Sequence, residues 1–153
     1  IVGVTKVFGP EFHDSYTSGA VDNNVNAWVQ GYINHGGGFG VAAAFHPYEG
    51  IHLENANSID NYLANVQPGS TKVWLSEAGA KTQYFPTETD QNRAVNNLFD
   101  WMASRPRITR MYYYHFRVAR GESWDSALVN DTPGTARQSW HTFCTRSQRG
   151  TGC

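Results

Sequence analysis

Four short apolar segments recur along the chain at intervals of about 30 to 40 residues, at positions 2–8, 40–45, 72–75 and 108–114. That interval is the length of one strand followed by a crossover helix, so each segment predicts a β-strand. Residues 41–45 are apolar at every position, which is typical of a strand that is buried on both faces.

The stretches between these segments carry apolar residues at helical spacing, with one apolar face each. The four stripes comprise Val25, Trp28, Val29, Tyr32 and Ile33; Ile59, Tyr62, Leu63 and Val66; Ala94, Leu98, Trp101 and Met102; and Ala136, Trp140 and Phe143. Glycines 36–38 end the first helix, and we interpret them as a flexible connection. Thr87 and Asp90 resemble a capping box before the third helix. Strands covered by amphipathic helices predict a parallel α/β sheet.

A chain of 153 residues without a composition shift predicts a single domain over residues 1–153. Four βα units are too few for a closed (β/α)₈ barrel, which typically takes about 250 residues. The pattern therefore leaves two architectures open, a small open sheet and half of a barrel.

Composition excludes several classes of function. The formal net charge is −1 without a cluster of basic residues, so neither nucleic acid nor an anionic membrane is an expected partner. No apolar run approaches the roughly 18 residues that span a bilayer. Glycine-rich phosphate-binding motifs and the G-x-S-x-G elbow are absent from the sequence. Aromatic residues reach 14%, enough to fill a core or to form platforms that bind sugars.

The two cysteines, Cys144 and Cys153, lie close together at the end of the chain. A disulfide between them would contribute about 2.5 kcal/mol and would suit an oxidising compartment, so we expect a secreted protein. The chain starts at Ile1, which indicates either a removed leader or a start inside a longer protein. The histidines at positions 13, 35, 52 and 141 have no metal-ligand spacing, so a zinc site is not expected. No other cofactor is expected either.

Functional residues of parallel α/β proteins gather where strands end, and three such segments resemble clan A glycoside hydrolases. Residues 73–79 read V-W-L-S-E-A-G, which is similar to the seventh strand of that clan, where the Glu is the nucleophile. Residues 45–48 read F-H-P-Y and are similar to the sixth strand. Residues 124–128 read W-D-S-A-L and resemble the loop after the eighth strand, with Ala127 where Gly is commoner.

The resemblance implies roles for particular residues. Glu77 would be the nucleophile, and His46 and Tyr48 would donate hydrogen bonds to Glu77 or to a sugar hydroxyl. Trp124 would stack under a sugar ring. The further candidate substrate contacts are Glu11, His115, Phe116 and Arg117.

The acid/base that the resemblance requires is missing. In that clan it is an Asn-Glu pair at the end of the fourth strand, and no Asn-Glu dipeptide occurs here. One complete strand separates Glu11 from Glu77, whereas the clan places two strands between the acid/base and the nucleophile. Glu11 therefore fits the end of the fifth strand and not of the fourth. We therefore predict α/β architecture in which parallel βα units form strands five to eight of a TIM barrel.

The leading hypothesis is the C-terminal half of a retaining glycosidase that degrades a β-linked oligo- or polysaccharide. Its partner would be the missing N-terminal half or a second copy in a homodimer. A non-catalytic carbohydrate-binding half-barrel is the alternative from the binding class. A third hypothesis is an open-sheet α/β domain of unrelated function. It is favoured only if the similarity of residues 74–79 to the clan is coincidental.

Overall fold

The computed structural model describes residues 11–14, 23–118, 123–131 and 135–147. Its elements are β1 (Glu11–His13), α1 (Asn23–Asn34), β2 (Ala42–His46), α2 (Tyr48–His52), α3 (Asn57–Asn65), β3 (Lys72–Ala78), α4 (Glu88–Ala103), β4 (Ile108–Tyr113) and α5 (Gln138–Arg146). The strands predicted at positions 40–45, 72–75 and 108–114 are confirmed within a few residues. The strand predicted at positions 2–8 lies outside the described residues.

The four strands form one sheet in the order β1-β2-β3-β4, and every neighbouring pair is parallel. Helical segments lie between successive strands, as parallel pairing requires. Strands that follow one another in space as they do in sequence are the arrangement of a TIM barrel, here with four of its eight units. The predicted α/β half-barrel is therefore confirmed.

The apolar faces of the helices pack against the sheet. The fully buried side chains of the core include Phe45, Tyr62, Val73, Leu75 and Leu98. The rings of Phe45 and Tyr62 stack with centroids 4.4 Å apart, and the Tyr62 hydroxyl donates to the Ala44 carbonyl at 2.9 Å. Burial of each large apolar side chain stabilises the fold by about 1.5–3 kcal/mol, which makes this interface the main support of the sheet.

The glycines after α1 form a helix cap and not the flexible connection that the sequence suggested. Gly36 has a φ of +82°, its N–H donates to the Ile33 carbonyl, and the Gly37 N–H donates to the Tyr32 carbonyl. These two bonds are those of a Schellman motif, in which glycine adopts the left-handed conformation without strain.

A short helix, α2, follows β2, and the apolar periodicity of the sequence did not predict it. Pro47 at its N-cap has no side-chain acceptor, and the cap comes from Asp14 at the end of β1. Asp14 accepts hydrogen bonds from the N–H groups of Glu49 (2.8 Å) and Gly50 (2.9 Å) and from the Ser58 hydroxyl (2.7 Å). This carboxylate therefore joins β1 to α2 and α3.

Two further observations bear on the sequence-based expectations. None of the helices in the described part of the chain is long and apolar enough to cross a membrane. Cys144 is buried on α5 and is disulfide-bonded. Its predicted partner, Cys153, lies outside the described residues.

Candidate active site

Glu77 owes its orientation to a bulge in β3. Leu75 pairs with Met111 and Ala78 pairs with Tyr113, so three steps along β3 match two steps along β4. Strict alternation would place Glu77 on the same face as the fully buried Val73 and Leu75. The extra residue breaks that alternation and brings Ala78 into the core in place of Glu77. The Glu77 side chain keeps 41% of its surface exposed, so a ligand can reach its carboxylate.

Two side chains from the end of β2 and the start of α2 contact the Glu77 carboxylate. The Tyr48 hydroxyl donates to Glu77 Oε2 at 3.0 Å, and His46 Nδ1 lies 3.6 Å from the same oxygen. Burial and the neighbouring Glu77 charge raise the pKa of Tyr48, so its phenol stays protonated and remains a donor. Both contacts fall on the same oxygen of the carboxylate, Oε2.

The second ring nitrogen of His46, Nε2, contacts another carboxylate, that of Glu11. His46 Nε2 lies 2.6 Å from Glu11 Oε1, so the imidazole stands between Glu11 and Glu77. Burial acts to raise the pKa of Glu11, but contacts with Ser76 and His46 outweigh it and hold that pKa below its usual value. Glu11 is therefore ionised at neutral pH and fixes the imidazole against Glu77.

Glu77 opens into a cavity of about 480 Å³ at the end of the sheet where β1, β2 and β3 terminate. The cavity is lined by His13, Asp14, His46, Tyr48, Glu49, Ile51, His52, Glu77, Gly79, Lys81, Tyr84, Phe85, Tyr114 and Trp124. Its volume lies in the range of small-molecule sites, and its wall combines aromatic rings with a few polar groups.

An ion pair between the buried Arg137 and the partly exposed Asp125 anchors the loop that brings Trp124 to the cavity. The adjacent Asp125 receives both terminal nitrogens of Arg137, at 2.9 Å and 2.7 Å. Burial acts to raise the pKa of Asp125, and the hydrogen bonds from Arg137 reverse that effect and lower it. The indole then packs edge-on against the Tyr48 ring at 4.9 Å, and Lys81 Nζ lies 4.3 Å from its centroid.

Gly79 allows this loop to approach β3. A Cβ at this position would overlap the Tyr114 carbonyl oxygen and would lie 2.8 Å from the Ser126 hydroxyl oxygen. The Ser126 hydroxyl itself donates to the Tyr114 carbonyl. The close packing of this loop against position 79 therefore explains why the last residue of the V-W-L-S-E-A-G segment is a glycine.

A second polar group in the cavity was not selected from the sequence. It consists of Asp14, Glu49 and His52, and the His52 ring stacks on Tyr84 with centroids 3.6 Å apart. Burial, reinforced by the Asp14 charge, raises the pKa of Glu49, whereas burial lowers the pKa of His52. The sequence signal available was Asp14 directly after β1, which gains meaning only when β1 is placed beside β2.

The predicted site residues separate into two groups. His46, Tyr48, Glu77 and Trp124 share the cavity, and Glu11 contacts His46 from outside it. The other three predicted contacts do not line the cavity. Phe116 packs on Trp140 at 5.3 Å, Arg117 binds Asp131, and His115 packs against the Tyr114 ring at 3.9 Å. Contact of these three with substrate stays a prediction.

Among the described residues, no group of three or more His, Cys, Asp or Glu side chains could hold a metal ion.

Comparisons with known proteins agree with this geometry. The family model described as glycosyl hydrolase catalytic core matches residues 3–143. No curated protein matches the chain. Among solved structures, it is similar to a GH5_18 protein from Bifidobacterium longum subsp. infantis, with a TM-score of 0.58 and 12% identity over 73% of this chain and 31% of that one.

Two other solved structures extend the comparison. A GH5_18 protein from Streptomyces cattleya in complex with GlcNAc has a TM-score of 0.59 and 13% identity, over 72% of this chain and 31% of that chain. An endo-β-1,3-glucanase of GH128 subgroup I from Amycolatopsis mediterranei, in complex with laminaripentaose, has a TM-score of 0.56 and 12% identity. That match covers 86% of this chain and 55% of the glucanase. The chain thus spans about a third to a half of the length of these proteins.

Proposed function

The chain belongs to the glycosyl hydrolase catalytic core family, and from that premise we propose that it carries the nucleophile of a retaining glycosidase that acts on β-linked glycans. The observation that carries the proposal is the Glu77 carboxylate, turned into a cavity by the β3 bulge and held through one oxygen by Tyr48. A carboxylate that is held in place by a hydrogen bond and is open to the cavity suits attack on an anomeric carbon.

The reaction would follow two displacements. Glu77 Oε1 forms a bond to the anomeric carbon while the bond from that carbon to the leaving oxygen breaks, and a general acid protonates that oxygen. Water then attacks the same carbon, a general base takes its proton, and the Glu77 carboxylate is released. The Tyr48 hydroxyl and the His46–Glu11 pair would keep Glu77 oriented through both steps.

Glu11 is not placed to act as that acid. The His46 ring stands between the carboxylates of Glu11 and Glu77, so a glycosidic bond has no room between the two. Asp14 is committed to three donors of α2 and α3. We therefore propose that the acid/base comes from strands one to four of a complete barrel, in a preceding half or another polypeptide.

The cavity wall supports a carbohydrate ligand. Trp124 and Tyr84 offer ring surfaces, and Lys81, His52 and Glu49 offer polar contacts to hydroxyl groups. The glucanase neighbours were solved with laminaripentaose and laminarihexaose, which makes a β-linked glucan the first ligand to test. The disulfide-bonded Cys144 favours a secreted protein that degrades polysaccharide outside the cell.

Substitution of Glu77 tests the proposal. In the protein that contains the complete barrel, Glu77→Gln should lower kcat on a β-glucan by several orders of magnitude, since covalent catalysis is lost while glycan binding remains. Glu54→Gln is the matched control, because Glu54 binds Arg93 on the surface, outside the cavity. Turnover in Glu77→Gln equal to that of the control would overturn the assignment.

A non-catalytic carbohydrate-binding half-barrel is the second candidate. It is favoured by the positions of Glu11, which lies behind the His46 ring, and of Asp14, whose oxygens accept hydrogen bonds from α2 and α3, so that neither is placed as the acid that retaining hydrolysis needs. Glycan binding that persists in a complete barrel without any turnover would select this candidate.

A further inference from the structure

One carboxyl group in the cavity wall has no part in the proposed chemistry or in the fold. The Glu49 side chain lines the cavity, yet only 6% of its surface is exposed. Its Oε2 lies 3.9 Å from His52 Nδ1, beyond hydrogen-bond distance. Its Oε1 is buried and meets no hydrogen-bond partner in the part of the chain that the structure describes.

The contrast with Asp14 shows that the fold does not require this carboxyl. Asp14 is equally buried, and its two oxygens accept three hydrogen bonds that cap α2 and tie it to α3. Glu49 contributes to that cap through its backbone N–H alone, which any residue except proline provides. A buried polar group without a partner is unfavourable for folding, so an apolar side chain would suit this position better.

The surroundings of Glu49 are those of a sugar-binding wall. His52 and Tyr84 stack beside it in the same cavity, and Tyr84 is 42% exposed, so its ring is open to a ligand. The pKa of Glu49 is raised by burial and by the Asp14 charge. Its carboxyl therefore holds a proton to higher pH than usual and can donate as well as accept a hydrogen bond.

We propose that Glu49 is a substrate-binding residue that hydrogen-bonds a hydroxyl group of a sugar bound against Tyr84, in the same cavity as Glu77. The inference rests on the proposed function and adds a binding determinant to it. Glu77 acts on the anomeric carbon, whereas Glu49 would select a sugar that presents a hydroxyl at this wall. A site with a buried hydrogen-bonding group discriminates strongly against a ligand that leaves the group unpaired.

The test combines affinity with thermal stability in the wild type and three variants. Titration calorimetry with laminaripentaose measures affinity for the wild type, Glu49→Leu and Glu49→Gln, and thermal melting measures stability. Glu49→Leu should melt at a higher temperature and bind about fivefold to tenfold more weakly, since the unpaired carboxyl and the hydrogen bond disappear together. Glu49→Gln should bind within about threefold of the wild type, because an amide still donates and accepts. Glu54→Leu, on the surface, is the control.

Each outcome supports or overturns the assignment of Glu49 as a substrate-binding residue. Weaker binding by Glu49→Leu with rescue by Glu49→Gln supports the inference. Unchanged affinity in Glu49→Leu overturns it and leaves the proposed function standing. Equal loss in both variants also overturns it, because the amide should have sufficed. A wild-type chain that binds no laminaripentaose overturns the proposed glucan ligand and this inference with it.

Discussion

Replacement of Arg137 by Met should strongly destabilise the segment that carries Trp124. The Arg137 side chain is 9% exposed and gives Asp125 two hydrogen bonds, at 2.7 Å and 2.9 Å. It also donates to Asn130 Oδ1 at 2.8 Å and to the Ala127 carbonyl at 3.0 Å. The change leaves Asp125, whose side chain is 27% exposed, without this partner and removes the other hydrogen bonds of Arg137, at a typical cost of about 1–3 kcal/mol. That is a large fraction of the stability of a small domain.

The same pair predicts a pH dependence with a definite sign. Because the pKa of Asp125 is lowered in the folded protein, its contribution to stability is present above the ordinary carboxyl pKa. That contribution is lost as the pH falls through the folded-state pKa. The wild type should therefore lose stability on acidification more steeply than Arg137→Met does, over the range from about pH 5 downward.

Urea unfolding at several pH values measures both effects. Tryptophan fluorescence follows the transition, and an unchanged dependence on urea concentration shows that the extent of unfolding is the same. Arg93→Met is the matched control, since Arg93 pairs with Glu54 and Asp90 on the surface, where an ion pair contributes little to stability. A loss in Arg137→Met no larger than in this control would refute the reasoning.

Three further predictions concern the site and its assembly. Tyr48→Phe should lower kcat/KM of the complete barrel about 10- to 100-fold, because the hydrogen bond to the Glu77 carboxylate is lost. Tyr112→Phe, at an exposed ring, is the control, and equal effects of the two substitutions would contradict this prediction. Gly79→Ala should lower the urea midpoint by an amount that corresponds to about 1–3 kcal/mol, since its Cβ overlaps the Tyr114 carbonyl; a wild-type midpoint would contradict it. The chain alone should hydrolyse dinitrophenyl β-glucoside before any polysaccharide and should self-associate in light scattering through its open β1 and β4 edges. Efficient polysaccharide cleavage or a stable monomer would contradict the last pair.

The elements that could be predicted from sequence are those with a local periodic signal. Residues 41–45 and 108–114 are apolar enough to indicate strands, and the stripes of α1, α3, α4 and α5 repeat at helical spacing. Within the described part of the chain β1 comprises Glu11–His13, which carries no such pattern, and it is recognised by its pairing with β2. α2 was missed for a similar reason, because its cap is supplied by Asp14 from a distant part of the chain.

The candidate site divides in the same way. Glu77 was identified from the V-W-L-S-E-A-G segment, and His46 and Tyr48 from the F-H-P-Y segment. Each is a run of consecutive residues, so it can be recognised in the sequence without the fold. The bulge that turns Glu77 away from the core depends on register with β4, which no local pattern reports. Phe116 and Arg117 follow β4 as a site residue would, but the chain turns there toward Trp140 and Asp131.

Covalent trapping tests the central claim most directly. A dinitrophenyl 2-deoxy-2-fluoro-β-glucoside carries a leaving group that needs little protonation, so glycosyl transfer to the nucleophile does not depend on a general acid. After incubation with the chain, mass spectrometry of proteolytic peptides should find the fluorosugar on the peptide that contains Glu77, and Glu77→Gln should remain unlabelled. An adduct on another carboxylate, or equal labelling of wild type and Glu77→Gln, would contradict the assignment of Glu77 as the nucleophile.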